Sequence, residues 1–497
     1  MRKLTVGFTI SLILAGCGGG GGSSTTNTAS SNTNPTSSVP AKDPLRIVTG
    51  NSIDAGDAGF NPRWVIADFN KDGSKDIFIR YDPESAFSNT KTGTSPVRFF
   101  LGKSEGGFEN STSIFPQGYS PILVSKIVLS DFNGDNGPDI LIATAGQDPY
   151  IDGKVAPSGH TGSYSQILTY TPNGYVLSKI NNLPLQYSHH ASTADFNGDF
   201  LNDVFISSVN YSEPYFIFGD SNGNYRVDTS KFPRLTFKFQ KTILDHFSDL
   251  SAKKWHNTFF TATATLDANN DGHKDILAFA GNGTKTSMLF FNDGAGNFSE
   301  TRSSELPVGP YGEGYEYYEN NVRYTVGTIF LDAITADINN DGKLDVITLS
   351  TNSNQSSANY VFYRGAAIQI LINSGNGFVD DTKNRTTFTH TGTNNFSHYD
   401  TIEYVDINKD SCKDILLHRS QVNQGDKNNN PTKILLNNCQ GSFTEKSYPS
   451  SLPKGILTVI KDGHYAILVS EKNANGTYTQ RIDDVYYDWS LGQNLFP

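Results

Sequence analysis

The apolar positions of the chain fall into short runs bounded by turn-forming residues, such as Trp64-Val65-Ile66-Ala67, Ile77-Phe78-Ile79 and Ile127-Val128-Leu129. Runs of that length, rich in β-branched and aromatic residues and separated by Gly, Asn, Asp and Ser, predict strands joined by tight turns. No long stretch sustains a helical period, so the fold class is all-β. The runs come in pairs around one nonamer. It reads DFNKDGSKD from Asp68, DFNGDNGPD from Asp131 and DFNGDFLND from Asp195. It returns as DANNDGHKD from Asp267, DINNDGKLD from Asp337 and DINKDSCKD from Asp406. Every copy keeps Asp at positions 1, 5 and 9 and Asn at position 3, and successive copies start 63 to 72 residues apart.

A fixed period of this length means stacked units that share a core. Within each period the apolar run before the nonamer and the one after it predict a hairpin, with the nonamer as its turn. A third strand and a Gly-aromatic pair follow, such as Gly107-Phe108, Gly174-Tyr175, Gly377-Phe378 or, with one residue between, Gly296-Asn297-Phe298. The aromatic opens a fourth strand. Four antiparallel strands per period is the anatomy of a propeller blade. On these residues the chain resembles the FG-GAP/VCBS-type repeat proteins, which include the integrin α-subunit propeller. The resemblance covers roughly 45–490 and implies a seven-bladed β-propeller. Six blades carry the nonamer. The seventh is expected from 455–460, 465–470 and 478–483, closed by 45–49 as its fourth strand. A six-bladed ring with C-terminal decoration is the alternative.

Oxygen ligands at alternating positions of a tight loop suit a hard cation such as calcium. The expected ligands are Asp68, Asn70, Asp72 and Asp76; Asp131, Asn133, Asp135 and Asp139; and Asp195, Asn197, Asp199 and Asp203. The other three loops offer Asp267, Asn269, Asp271 and Asp275; Asp337, Asn339, Asp341 and Asp345; and Asp406, Asn408, Asp410 and Asp414. Up to six ions are expected, one in each turn between first and second strands. An EF-hand is excluded, because position 12 carries Ile79, Ile142, Ile206, Ala278, Thr348 or Leu417 instead of Glu, and strands flank the loop. Gly73, Gly272 and Gly342 ease the turn at position 6, so the first, fourth and fifth loops are expected to bind best.

Charge and cysteine content refine this picture. The net charge is −11, and the six loops hold 18 of the 50 acidic residues. Six divalent ions would bring the chain near neutrality, and no basic stripe points to nucleic acid. Arg2, Lys3 and the apolar run 6–15 read as a secretory signal, too short to span a bilayer. It ends in Leu14-Ala15-Gly16-Cys17, which resembles the lipobox of bacterial lipoproteins. The resemblance implies cleavage after residue 16 and lipidation of Cys17, with Gly18 favouring the outer membrane, periplasmic or surface-facing. An ordinary signal peptide is the alternative. Residues 17–43, rich in Gly, Ser, Thr and Asn, form a flexible tether, and 44–497 form one propeller domain. An exported chain sits in an oxidising compartment, so Cys412 and Cys439 suggest a disulfide, the alternative being two separate thiols.

Function is expected at the loops opposite the nonamers: 81–96, 145–163, 350–364, 419–431 and 228–258, the last with a short helical pattern at 242–254. Variable loops on a rigid scaffold are where binding normally lives. A tyrosine-rich stretch holds Tyr311, Tyr315, Tyr317 and Tyr318 beside glutamates, suited to sugar rings or a cationic peptide, or simply packed on its neighbours. His189, His190, His256 and His398 lie near the starts of first strands, where imidazoles would approach the channel mouth or serve as caps. No nucleophile motif, phosphate loop or HExxH is present. The sequence therefore reads as a lipid-anchored, calcium-stabilised extracytoplasmic module that binds a surface glycan or protein. A polysaccharide-degrading enzyme such as a lyase, and a structural partner in envelope assembly, are the alternatives.

Overall fold

The computed structural model describes residues 45–48, 52–54, 60–82, 97–104, 107–122, 124–146, 150–151, 154–155, 162–209, 214–233, 260–281, 286–319, 322–356, 364–388, 391–395, 398–419, 432–461, 464–472, 478–487 and 489. Cys17, His256, the signal and tether segments and the helical pattern at 242–254 lie outside these residues. The strands pair into seven antiparallel blades. Blade 1 is Phe60–Ala67, Asp76–Asp82, Val97–Gly102 and Phe108–Asn110. Blade 2 opens with Val124–Ser130 and Asp139–Thr144, blade 3 with Tyr187–Ala194 and Asp203–Val209. Blade 4 opens with Phe260–Leu266 and Asp275–Ala280, blade 5 with Val322–Ala336 and Asp345–Ser356, blade 6 with Thr401–Val405 and Asp414–His418.

The seventh blade mixes the two ends of the described chain. Ile456–Lys461, His464–Lys472 and Tyr478–Tyr487 form its first three strands, and Leu45–Val48 is the fourth, with Leu45 opposite Tyr487. Closure leaves no long open edge between the last blade and the first. Blade 1 and blade 7 are further joined by the Gly107 N–H donating to the Asp484 carboxylate, which also holds the His464 ring.

Packing confirms a ring of seven. Among the described residues there are seven buried apolar clusters, and each is shared by two neighbouring blades. One of them joins Ile77, Ile79 and Phe100 of blade 1 to Ile456, Ala466 and Ile482 of blade 7. A blade in the ring is covered on both faces, which is why the second strands are apolar without alternation. Asp139–Thr144 and Asp275–Ala280 are buried along their whole length. Position 2 of the nonamer is part of the same core. Phe69, Phe132, Phe196, Ala268, Ile338 and Ile407 are each no more than 2 % exposed.

Three local expectations need correction. The stretch 315–319 is a strand, Tyr315–Glu319, paired with the start of Val322–Ala336. Within the stretch 350–364, residues 350–356 continue the second strand of blade 5, which runs to Ser356, and 357–363 lie outside the described residues. In blade 4 the fourth strand begins at Ser303, after a turn of 3-10 helix at Glu300–Arg302, while Phe298 packs into the core ahead of it.

Candidate functional site

The six Asp loops share one backbone. Positions 4 and 6 lie in the left-handed region in every copy: Lys71 and Gly73, Gly134 and Asn136, Gly198 and Phe200, Asn270 and Gly272, Asn340 and Gly342, Lys409 and Ser411. Glycine takes this conformation without strain and Asn tolerates it, whereas Phe and Ser do so at a cost. The carboxylate of position 1 makes the turn possible. It accepts the N–H groups of positions 5 and 6 at 2.7–3.2 Å in all six loops. The Asp at position 5 accepts the position 7 N–H and the amide of the position 3 Asn.

Position 9 has a different environment. Asp76, Asp139, Asp203, Asp275, Asp345 and Asp414 are all fully buried, each at the start of a second strand. One oxygen accepts the position 2 N–H at 2.8–3.1 Å. In five loops the other accepts a backbone N–H from the end of the third strand, given by Gly102, Tyr170, Asn292, Asn373 or Asn437. The residue thus clasps the loop to the blade. Burial, opposed by these N–H groups and reinforced by the neighbouring loop carboxylates, pushes Asp76, Asp139 and Asp275 up to about 6. It pushes Asp203 and Asp414 up to about 7 and raises Asp345 as well.

The donor set fits a hard divalent cation in chemistry: three carboxylates and an amide oxygen, with the position 7 carbonyl beside them. The carboxylates are turned onto the loop's own amides. In none of the described loops do all three offer ligand atoms within 4.8 Å of one another. Each carboxylate oxygen has two acceptor sites, so an amide bond does not exhaust it. In loop 6 the position 7 residue Cys412 forms a disulfide with Cys439, in the turn between third and fourth strands.

The first strands of blades 2 to 6 contact one another in sequence toward the axis. Here Lys126 of blade 2 donates to Asp332 of blade 5 at 2.6 Å, and the His190 ring nitrogen of blade 3 lies 3.2 Å from the same oxygen. A second polar group joins blades 6 and 7. Glu403 contacts His418 at 3.1 Å and accepts the Thr458 hydroxyl, while His418 also meets Thr432. At the end of blade 6 away from its Asp loop, His398 pairs with Asp400 at 3.0 Å, and buried Arg419 lies 5.0 Å over the Tyr399 ring.

The expected ligand residues are therefore dispersed. His190 sits inside a first strand, 2 % exposed, and faces the axis. His398 belongs to the blade 6 pair. The Tyr311 backbone N–H donates to Thr328 Oγ1 at 3.0 Å, and burial raises its phenol. Tyr315, Tyr317 and Tyr318 share one strand, with Tyr317 opposite Tyr324 and Tyr318 opposite Arg323. Lys126, Asp332, Glu403 and His418 were not among the sequence candidates. Three of them left a signal: Lys126, Asp332 and Glu403 are the lone charged residues of Val124–Ser130, of the run 328–336 and of Thr401–Val405.

No curated protein matches the chain by sequence. Among solved structures, the exotype rhamnogalacturonan lyase YesX aligns at 12 % identity and TM-score 0.40 over 89 % of this chain and 76 % of its own. A Bacillus licheniformis rhamnogalacturonan lyase, PL11, aligns at 10 % and 0.37 over 90 % and 75 %. A protein of unknown function from Dyadobacter fermentans DSM 18053 aligns at 10 % and 0.39 over 90 % and 100 %. Residues 68–142 match the model of the FG-GAP-like repeat. That segment runs from the first Asp loop into the strand behind the second, one full period of the chain. The chain is a seven-bladed β-propeller that carries an FG-GAP-like repeat.

Proposed function

We propose that the chain is a calcium-stabilised propeller, anchored to a bacterial envelope through Cys17, that serves as a binding or adhesion module for a surface glycan or protein. Calcium would be held by positions 1, 3, 5 and 9 of each loop. It would supply positive charge where three carboxylates crowd one turn, and so would stiffen the hairpin at that end of each blade. Binding is assigned to the opposite end, where segments vary in length from blade to blade.

The observation that carries a binding role over a catalytic one is the engagement of the axial ionisable groups with one another. Lys126, His190 and Asp332 form one cluster, and Glu403 and His418 another. A general base needs a lone pair directed at substrate. At the axis those lone pairs are directed at other side chains of the ring.

One observation favours the enzyme reading. His398, Tyr399, Asp400 and Arg419 gather at the far end of blade 6, a mixture of the residue types that acid–base chemistry on an anionic sugar requires. A glycan array probed with and without calcium, run beside a product assay on uronate polymers, separates the readings. Calcium-dependent binding without products supports the module. Released unsaturated products establish the enzyme instead, and neither signal leaves a structural partner in the envelope.

A further inference from the structure

The axial cluster puts ionisable side chains on a feature that most blades share. The first strands of six blades contain a register shift, which in blades 1, 4 and 7 lies between Phe60 and Arg63, Phe260 and Ala262, and Val459 and Lys461. In blades 2, 3 and 5 it lies between Val124 and Lys126, Ser188 and His190, and Phe330 and Asp332. The residue that resumes the ladder after the shift is Lys126, His190 or Asp332. A β-bulge re-aims the side chain that follows it. In these three blades the residue after the shift is a cation, an imidazole or a carboxylate, and the three side chains meet.

Asp332 is 2 % exposed and is surrounded by donors. Oδ1 lies 2.6 Å from Lys126 Nζ and 3.2 Å from His190 Nε2, and accepts the Ala333 N–H at 3.0 Å. Oδ2 accepts the Ile402 N–H of blade 6 at 3.1 Å. The far side of the imidazole is fixed too. His190 Nδ1 accepts the Thr263 N–H of blade 4 at 3.3 Å, so the proton on the neutral ring sits on Nε2 and points at Asp332. The Thr263 hydroxyl lies 3.0 Å from Nδ1 and 3.0 Å from Ser192 Oγ, back on blade 3. One carboxylate is therefore tied directly to blades 2, 3 and 6 and, through His190, to blade 4.

We propose that this cluster is an axial lock. Asp332 joins blades that do not touch along the rim, so that the ring opens as a unit rather than seam by seam. Apolar clusters hold each blade only to its two neighbours. Without a cross-axis tie, stability would be a sum of neighbour terms, as in an open repeat array. Lys126 and Asp332, 206 residues apart, supply such a tie. A buried charge stripped of its partner is strongly destabilising, whereas removing both partners costs less. The lock therefore predicts non-additivity as well as loss.

The test is amide hydrogen exchange on the full chain with Lys126→Met, Lys126→Arg, Asp332→Asn and the Lys126→Met/Asp332→Asn pair. Lys126→Met should speed exchange in the first strands of blades 2 and 5 on the order of 100-fold, the factor that loss of one buried partner implies. The first strand of blade 7, Ile456–Lys461, should change much less. Lys126→Arg should restore most of the protection, and the double variant should exchange no faster than Asp332→Asn alone. Should Asp332→Asn fail to fold, the two Lys126 variants still decide the matter. Wild-type exchange in blades 2 and 5 of Lys126→Met, or an equal acceleration in every blade that Lys126→Arg does not reverse, would overturn the proposal.

Discussion

The two ends of the propeller are built on opposite principles. At the Asp-loop end, six blades use the same nine positions to make the same bonds. At the other end the blades diverge. Blade 2 adds a small hairpin, Tyr150–Ile151 with Lys154–Val155. Blade 5 adds the strands Tyr315–Glu319 and Thr391–Asn395, and blade 6 sets His398 against Asp400. Repetition marks what every blade needs in order to hold together. Divergence marks what a scaffold is free to present, and it is there that a ligand is sought.

The contrast breaks most sharply at position 9. Asp275→Ala would strip the Ala268 and Asn292 N–H groups of their shared acceptor inside the core. The expected cost is about 3–5 kcal/mol, read as a shift of the denaturant midpoint. The same truncation at exposed Asp271 should cost far less in chelator. Equal losses at the two positions would remove the distinction between clasp and ligand. Next in size is the disulfide. Replacing Cys412 and Cys439 by Ala opens a loop whose ends are 27 residues apart in sequence. Chain entropy puts the loss at about 3–4 kcal/mol, measurable by calorimetry against the oxidised protein.

How much of this was legible in the sequence depends on distance along the chain. The hairpin around each nonamer was, because Phe69, Asp76 and Ile77 act within a few residues of one another. The closing strand 45–48 was legible because six marked blades left three strands without a partner. The axis was not. Asp332 meets Lys126 only after the ring closes, and the bulges that aim them leave no mark in residue type. The pairing of the tyrosine-rich stretch as a hairpin was missed for another reason. Its aromatic and acidic composition suggested a binding loop, although Asn320-Asn321 between two β-prone runs is a turn signal.

Smaller effects sharpen the same contrast. The position 9 carboxylates are pushed up to about 6 or 7 by burial, from an ordinary value of 3.8. A group whose folded value is raised adds stability below the unfolded value, and this is lost as pH rises through the folded one. In chelator, thermal unfolding should therefore show these groups favouring about pH 4–5 over pH 7.5. Bound calcium, which favours the ionised form, should reverse the trend. A metal-free protein that gains stability steadily from pH 4 to 7.5 would contradict the assigned burial effect. The smallest change concerns Phe200, which is 94 % exposed with a φ of 70°. Phe200→Gly relieves that strain and should stabilise by about 1 kcal/mol. It should also tighten calcium in the third loop, with no gain from the matching change at an extended position.

The most direct test of the account is calcium titration of chelator-stripped protein, followed by calorimetric unfolding at each step. The account predicts saturable binding of up to six ions, filled first in the loops with Gly73, Gly272 and Gly342, and a melting temperature that climbs with occupancy. No heat of binding and one unchanged thermogram from chelator to saturating calcium would contradict it.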